Sequence, residues 1–216
     1  MALLIGSKKI KTAVFISGNG SNLKSLIKFS KQKKSPILIN LIISNNPDAK
    51  GLNYAKIFRI KKKIFNFKNR IIAENKINFE LKKNKIKLIC LAGFMKILSK
   101  NFIKSFNGKI LNIHPSLLPK YKGLNTHYRV LKKKEKYSGC TVHFVSSVLD
   151  SGKIILQKKV KISKKETPKT LAKKVLKEEH KLYPKAILKS FNLKKKIYLD
   201  FCIFNTIRTM NRIFII

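Results

Sequence analysis

The sequence predicts an α/β fold: one domain with a mostly parallel sheet flanked by helices, finished by a C-terminal hairpin and a closing helix. Three observations carry this. Short apolar runs alternate with segments of helical periodicity. At 44% hydrophobic residues over 216 positions the chain can bury a core, despite a formal net charge of +41. After His114 the alternation gives way to two adjacent strand-like runs.

The elements follow in order. Thr12–Ser17 (TAVFIS) is an apolar run ending at Gly18, the signature of a buried parallel strand. Ser21–Lys33 carries Leu23, Leu26, Ile27 and Phe29 at helical spacing. Ile37–Ser44 reads as a second strand, stopped by Asn45-Asn46-Pro47, and Asp48 is placed to cap a helix over Ala49–Arg59. A third strand is expected near Ile64–Phe67 and a helix from Arg70 to Asn84. Lys87–Ala92 and Lys109–Ile113 supply the fourth and fifth strands, and repeated βα units argue for parallel pairing. Residues 115–127 read as a loop punctuated by Pro115, Pro119 and Gly123. Gly139–Ser146 and Lys153–Val160 then form a hairpin around the tight turn Leu149-Asp150-Ser151-Gly152, and a closing helix fits Thr167–Ser190. Lys194–Ile216 mixes charge with bulky apolar residues and is compatible with a strand.

The charge invites a nucleic-acid reading, since clustered cations release counterions from a phosphate backbone. Composition argues otherwise. The chain has 45 lysines but only five arginines, the residue favoured for bidentate base contacts. Lys, Ile and Asn, all encoded by A/T-rich codons, dominate the composition, and the lysines are spread along the whole chain. The expectation is a solvated, drift-derived surface with no specific nucleic-acid partner. No apolar run nears the roughly 18 residues of a spanning helix, so no membrane partner is expected. Cys90, Cys140 and Cys202 lie far apart and are odd in number, which fits a reducing cytoplasm rather than disulfides or zinc. Cys90 and Cys140, in apolar surroundings, read as core thiols.

Three segments carry chemistry. Gly18-Asn19-Gly20-Ser21-Asn22 follows a strand and opens a helix, where small residues and unpaired N–H groups suit a phosphate. It departs from the dinucleotide fingerprint, whose third glycine would fall at Leu23, and equally fits a plain strand-to-helix turn. Asn112 and His114 lie two residues apart at the end of the fifth strand and so share a side. An amide and an imidazole there could stabilise one developing oxyanion beyond the carboxyl ends of the strands, although a lone His at such a position is more often structural. Asp150 is one of only nine acidic residues. As a turn residue it needs no further role, but facing His114 it would favour the proton-donating imidazolium. The four histidines show no metal-ligand spacing, and no HExxH or GxSxG occurs.

Together the segments ISGNGSNL (16–23), LAGFMKIL (91–98), LNIHPSLLPKY (111–121), GLNTH (123–127), TVHFV (141–145), LDSG (149–152) and EEHKLYP (178–184) resemble the phosphoribosylglycinamide formyltransferases. This is a family of the folate-dependent formyltransferase superfamily, and the likeness runs from about residue 12 to residue 190. The resemblance implies a single Rossmann-like formyltransferase domain over residues 12–190, with 1–11 and 191–216 as terminal extensions without an assigned role. It implies that a formyl group passes from the co-substrate 10-formyltetrahydrofolate to the amine of phosphoribosylglycinamide, through a tetrahedral oxyanion and without a metal. His114 would be the acid, Asn112 would help to stabilise the oxyanion, and Asp150 would keep His114 protonated. Gly20, Ser21 and Asn22 would take the substrate phosphate, and Glu179 its amine end. Folate would lie along Met95, Lys96, Ile97 and Leu98, with Arg70 toward its acidic tail. The partners implied are small-molecule substrates, with the protein a monomer or homodimer.

Some positions depart from the family pattern. Lys96 stands where Arg is common, losing the fork geometry; Asn125 replaces the first His of GLHTH, and Lys122 a proline. Relatives with the same catalytic triplet are less well matched. A formyltetrahydrofolate hydrolase is expected to carry an extra N-terminal domain, and a methionyl-tRNA formyltransferase an extra C-terminal one. A basic RNA-binding protein is the alternative of a different class.

Overall fold

A computed structural model describes residues 9–192 of the chain. Its centre is a seven-stranded sheet of order β3-β2-β1-β4-β5-β6-β7, built from β1 (Ile10–Ile16), β2 (Ile37–Ser44), β3 (Lys61–Ile64), β4 (Leu88–Leu91), β5 (Lys109–His114), β6 (Tyr137–Phe144) and β7 (Ile154–Lys161). The first five strands pair in parallel, while β6 and β7 add antiparallel. Side chains alternate between two apolar clusters, as the pleat requires. Val14 and Ile16 face α1 (Ser21–Ser30) and α6 (Pro168–Ser190); Ala13 and Phe15 face α3 (Arg70–Lys83) and α4 (Lys100–Ser105). The expected α/β architecture with its hairpin and closing helix is what the chain adopts.

Strand order reverses beside β1, whose neighbours are β2 and β4, a topology in which ligands bind beyond the carboxyl ends of the strands. Tyr183 of α6 ties the closing helix to the sheet. Its buried hydroxyl reaches the carbonyls of Leu91 and Leu111, both at 3.0 Å, satisfying a polar group that burial would otherwise penalise. Cys90 and Cys140 are buried, and desolvation pushes both thiols up to about 12, so neither is a nucleophile at neutral pH.

Several elements differ from the sequence reading. The helix expected over Ala49–Arg59 is a 3₁₀ turn, Lys50–Leu52, running into a short α2 (Asn53–Ile57), and Asp48 does not cap it. The constraint is tertiary: Gly51 N donates to Gly18 O at 3.0 Å, and a Cβ on Gly51 would lie 2.9 Å from Gly20 Cα. The third strand falls on Lys61–Ile64 rather than Ile64–Phe67, because Lys61 and Lys63 point to Glu80 of α3. Helix α4 was not expected; Ser99 caps it by accepting from Phe102 N, while Glu74 accepts from Ser99 N and Oγ. The segment read as a loop up to residue 127 already turns into α5 (Thr126–Lys132). The connection between β6 and β7 spans 145–153 rather than a tight four-residue turn. Cys202 and the strand considered within 194–216 lie outside the described residues.

Candidate active site

Beyond the carboxyl ends of β4 and β5 lies a cavity of about 570 Å³. Met95, Lys96, Ile97 and Leu98, which follow β4, form one wall; the segments 123–127 and 145–150 form the others. Met95 and Ile97 stay more than half exposed, an apolar surface with no protein partner and suited to a flat aromatic ligand.

Asn112, His114 and Asp150 meet on the cavity wall. Asn112 and His114 come from the last turn of the β5 pleat, whereas Asp150 is delivered by the β6–β7 connection in a left-handed conformation with φ 47°. Aspartate tolerates that region better than most residues. His114 Nδ1 lies 3.3 Å from Asp150 Oδ2, with both side chains almost fully buried. The other ring nitrogen, Nε2, is 2.9 Å from Tyr121 O. A carbonyl only accepts, so Nε2 carries a proton, and Nδ1 is the nitrogen that faces the carboxylate.

His143, which the sequence reading did not single out, completes the cluster. Antiparallel register places it opposite Asn112, and its Nε2 is 3.2 Å from Asn112 Nδ2. Its Nδ1 is 2.8 Å from Phe144 O and must therefore donate, which leaves Nε2 as an acceptor for the Asn112 amide. Burial, the largest influence, lowers the pKa of His143 below the ordinary imidazole range; the Phe144 and Asp150 contacts oppose this only in part. A neutral His143 thus fixes the Asn112 carboxamide and leaves its second N–H free. His127 of α5 also lines the cavity, and its pKa is lowered chiefly by burial. Finding His143 from sequence needed the β5–β6 pairing, which strand periodicity alone does not give.

The remaining candidates divide. Glu179 of α6 lines the cavity, and its carboxylate accepts from Asn22 Nδ2 at 2.6 Å. Burial raises the Glu179 pKa, partly offset by that bond. Asn22 Oδ1 is buried without a protein partner. Gly20, Ser21 and Asn22 sit at the start of α1, outside the cavity wall but linked to it through Glu179. Gly20 has φ 70°, and no side chain caps the helix, whose first N–H groups lack intrahelical acceptors. Arg70, at the exposed start of α3, is not brought to the cavity. Among the described residues no cluster of His, Cys, Asp and Glu could hold a metal ion, and no helix is long and apolar enough to cross a membrane.

This parallel sheet, with Asn112, His114 and Asp150 gathered beyond its fifth strand, is that of a chain whose residues 10–187 match the formyl transferase family: the chain belongs to it. Within that family it is similar to phosphoribosylglycinamide formyltransferase of Haemophilus influenzae, 42% identical over 82% of this chain and 85% of that protein. The solved phosphoribosylglycinamide formyltransferase of Brucella melitensis is 42% identical and superimposes with a TM-score of 0.80, covering 85% of this chain and 96% of that one. The human trifunctional purine biosynthetic protein adenosine-3 is 43% identical over 83% of this chain, which spans only 18% of that longer protein.

Proposed function

We propose that the chain transfers a formyl group from 10-formyltetrahydrofolate to the amine of phosphoribosylglycinamide, a step of de novo purine synthesis, and that residues 12–190 are the catalytic unit. The observation that carries this is the contact of His114 with Asp150 beside Asn112, on the wall of a cavity flanked by the apolar surface of Met95–Leu98. The substrate amine attacks the formyl carbon, forming a C–N bond and a tetrahedral oxyanion. The free N–H of Asn112 and the charge of His114 stabilise that oxyanion; donors placed in this way are worth about 3–4 kcal/mol each in barrier height. Asp150 takes the proton released by the attacking nitrogen, and His114 supplies one to N10 of the folate as the C–N10 bond breaks, so one proton moves from amine to leaving group. Folate lies along Met95, Lys96, Ile97 and Leu98. The substrate phosphate takes the open N–H groups of Gly20, Ser21 and Asn22, with Glu179 at the amine end. Arg70 reaches the folate's acidic tail only where that tail leaves the cavity.

The deciding test is difference absorbance of purified protein with 10-formyltetrahydrofolate, with and without the ribonucleotide. Folate product that depends on the ribonucleotide supports the transferase. Product without it favours a hydrolase, and no product from folded protein refutes both.

A further inference from the structure

Three consecutive residues of the segment after β5 grip the catalytic cluster. Tyr121 O accepts from His114 Nε2 at 2.9 Å, Lys122 Nζ donates to Ser151 Oγ, and Gly123 N donates to Asp150 Oδ2 at 2.9 Å. Tyr121 is the unexpected member. Its φ of 59° is left-handed, a conformation that is costly for a bulky side chain and that persists only where surroundings impose it. Those surroundings are specific. The Tyr121 hydroxyl donates to Glu135 Oε1 at 2.8 Å, Lys120 Nζ pairs with the same oxygen at 3.1 Å, and the Arg129 guanidinium sits 5.6 Å from the Tyr121 ring centre. Arg129 also donates to the carbonyls of Lys122 and Leu124, so α5 anchors the segment immediately after the strained residue. Glu135, which follows α5, is one of the nine acidic residues and has no role in the cluster described above.

We propose that Tyr121 is a positioning residue for His114: Glu135 and Arg129 hold its backbone so that its carbonyl keeps a proton on His114 Nε2. The inference rests on the reading of His114 as the acid. The ring is then held at both nitrogens, by the Tyr121 carbonyl at Nε2 and by the Asp150 carboxylate at Nδ1. His143 on β6 and His127 on α5 are the other imidazoles that interact with His114, and burial lowers the pKa of both. Because Tyr121 does not line the cavity and its hydroxyl is bonded to Glu135, that hydroxyl can be removed without altering the cavity wall.

Tyr121→Phe keeps the ring and removes the hydroxyl, Glu135→Ala removes its acceptor, and Glu135→Gln restores one. Tyr121→Phe and Glu135→Ala are each expected to lower kcat roughly fivefold with KM within about twofold. Each should also move the high-pH limb of kcat to lower pH. Glu135→Gln should recover most of the rate, and the double variant should be no slower than either single one. Unchanged kcat with a lowered Tm would overturn the proposal and leave the network purely structural. A second readout needs no turnover. In protein carrying ¹⁵N-histidine, the His114 Nε2–H signal, assigned by its loss in His114→Gln, should exchange slowly in the wild type and rapidly in Tyr121→Phe. Equal protection in both proteins would overturn the proposal. Absence of any ribonucleotide-dependent product in the wild type would refute the proposed function instead, with the NMR result still deciding the role of Tyr121.

Discussion

Asn112, His114 and Asp150 have different parts in the proposed reaction, and single substitutions should separate them. His114→Ala should remove at least about a hundredfold of kcat while the protein stays folded; wild-type turnover in that variant would sink the mechanism. Asp150→Asn is a clean probe because asparagine also tolerates the left-handed backbone at φ 47°. It should cost roughly a hundredfold in kcat, and a near-normal rate would deny the carboxylate a part in proton movement. Asn22→Ala should raise the KM for the ribonucleotide roughly tenfold, with the KM for folate within about twofold. Equal effects on both would place the phosphate elsewhere. That Asn112, His114 and Asp150 meet in one place was legible because Asn and His stand at a strand end and Asp in a connection beyond it. His143 was not legible, since its role comes from facing Asn112 across an antiparallel ladder.

At the scale of elements, periodicity located every strand of the parallel sheet but misplaced β3. Three lysines conceal an edge strand that pairs only with β2 and uses Lys61 and Lys63 to hold Glu80. Helices α4 and α5 escaped because each is only six or seven residues long, too short for an apolar period to repeat. What defines α4 is its cap, and the cap predicts an outcome. Ser99→Ala removes both the acceptor for Phe102 N and the hydroxyl bonded to the buried Glu74. It should destabilise the protein by about 1–2 kcal/mol, read as a lower urea midpoint at unchanged m. An unchanged midpoint would show that water replaces the serine at no cost.

For the whole molecule, acid should act in two stages. Burial keeps the pKa values of His127 and His143 below the ordinary 6.5. Their contribution to stability is therefore present above that pH and lost as pH falls beneath it. The hydrogen bond from Lys61, helped by Lys63 and opposed by burial, brings Glu80 down to about 2 from its ordinary 4.5. Its contribution is present above 4.5 and disappears between there and about 2. In Glu80→Gln the fall of Tm with acid below pH 4.5 should be shallower than in the wild type; parallel curves would discount the ion pair. The net charge of +41 adds self-repulsion. Raising sodium chloride from about 0.01 to 0.2 M shortens the screening length from about 30 Å to under 10 Å and should raise Tm by roughly 3 °C. A flat or falling Tm would show that the lysines are already far enough apart. Of the eight described acidic residues, seven are bonded within the fold: Glu74 to Ser99, Glu80 to Lys61, Glu135 to Tyr121, Asp150 to Gly123, Glu166 to Lys174, Glu178 to Lys181 and Glu179 to Asn22. Carboxylates on which no bond depends are thus nearly absent among the described residues. Loss of any of these seven removes a helix cap, an ion pair or a contact of the candidate site, so truncating them to alanine in a mutational scan should cost more than truncating unpaired surface lysines.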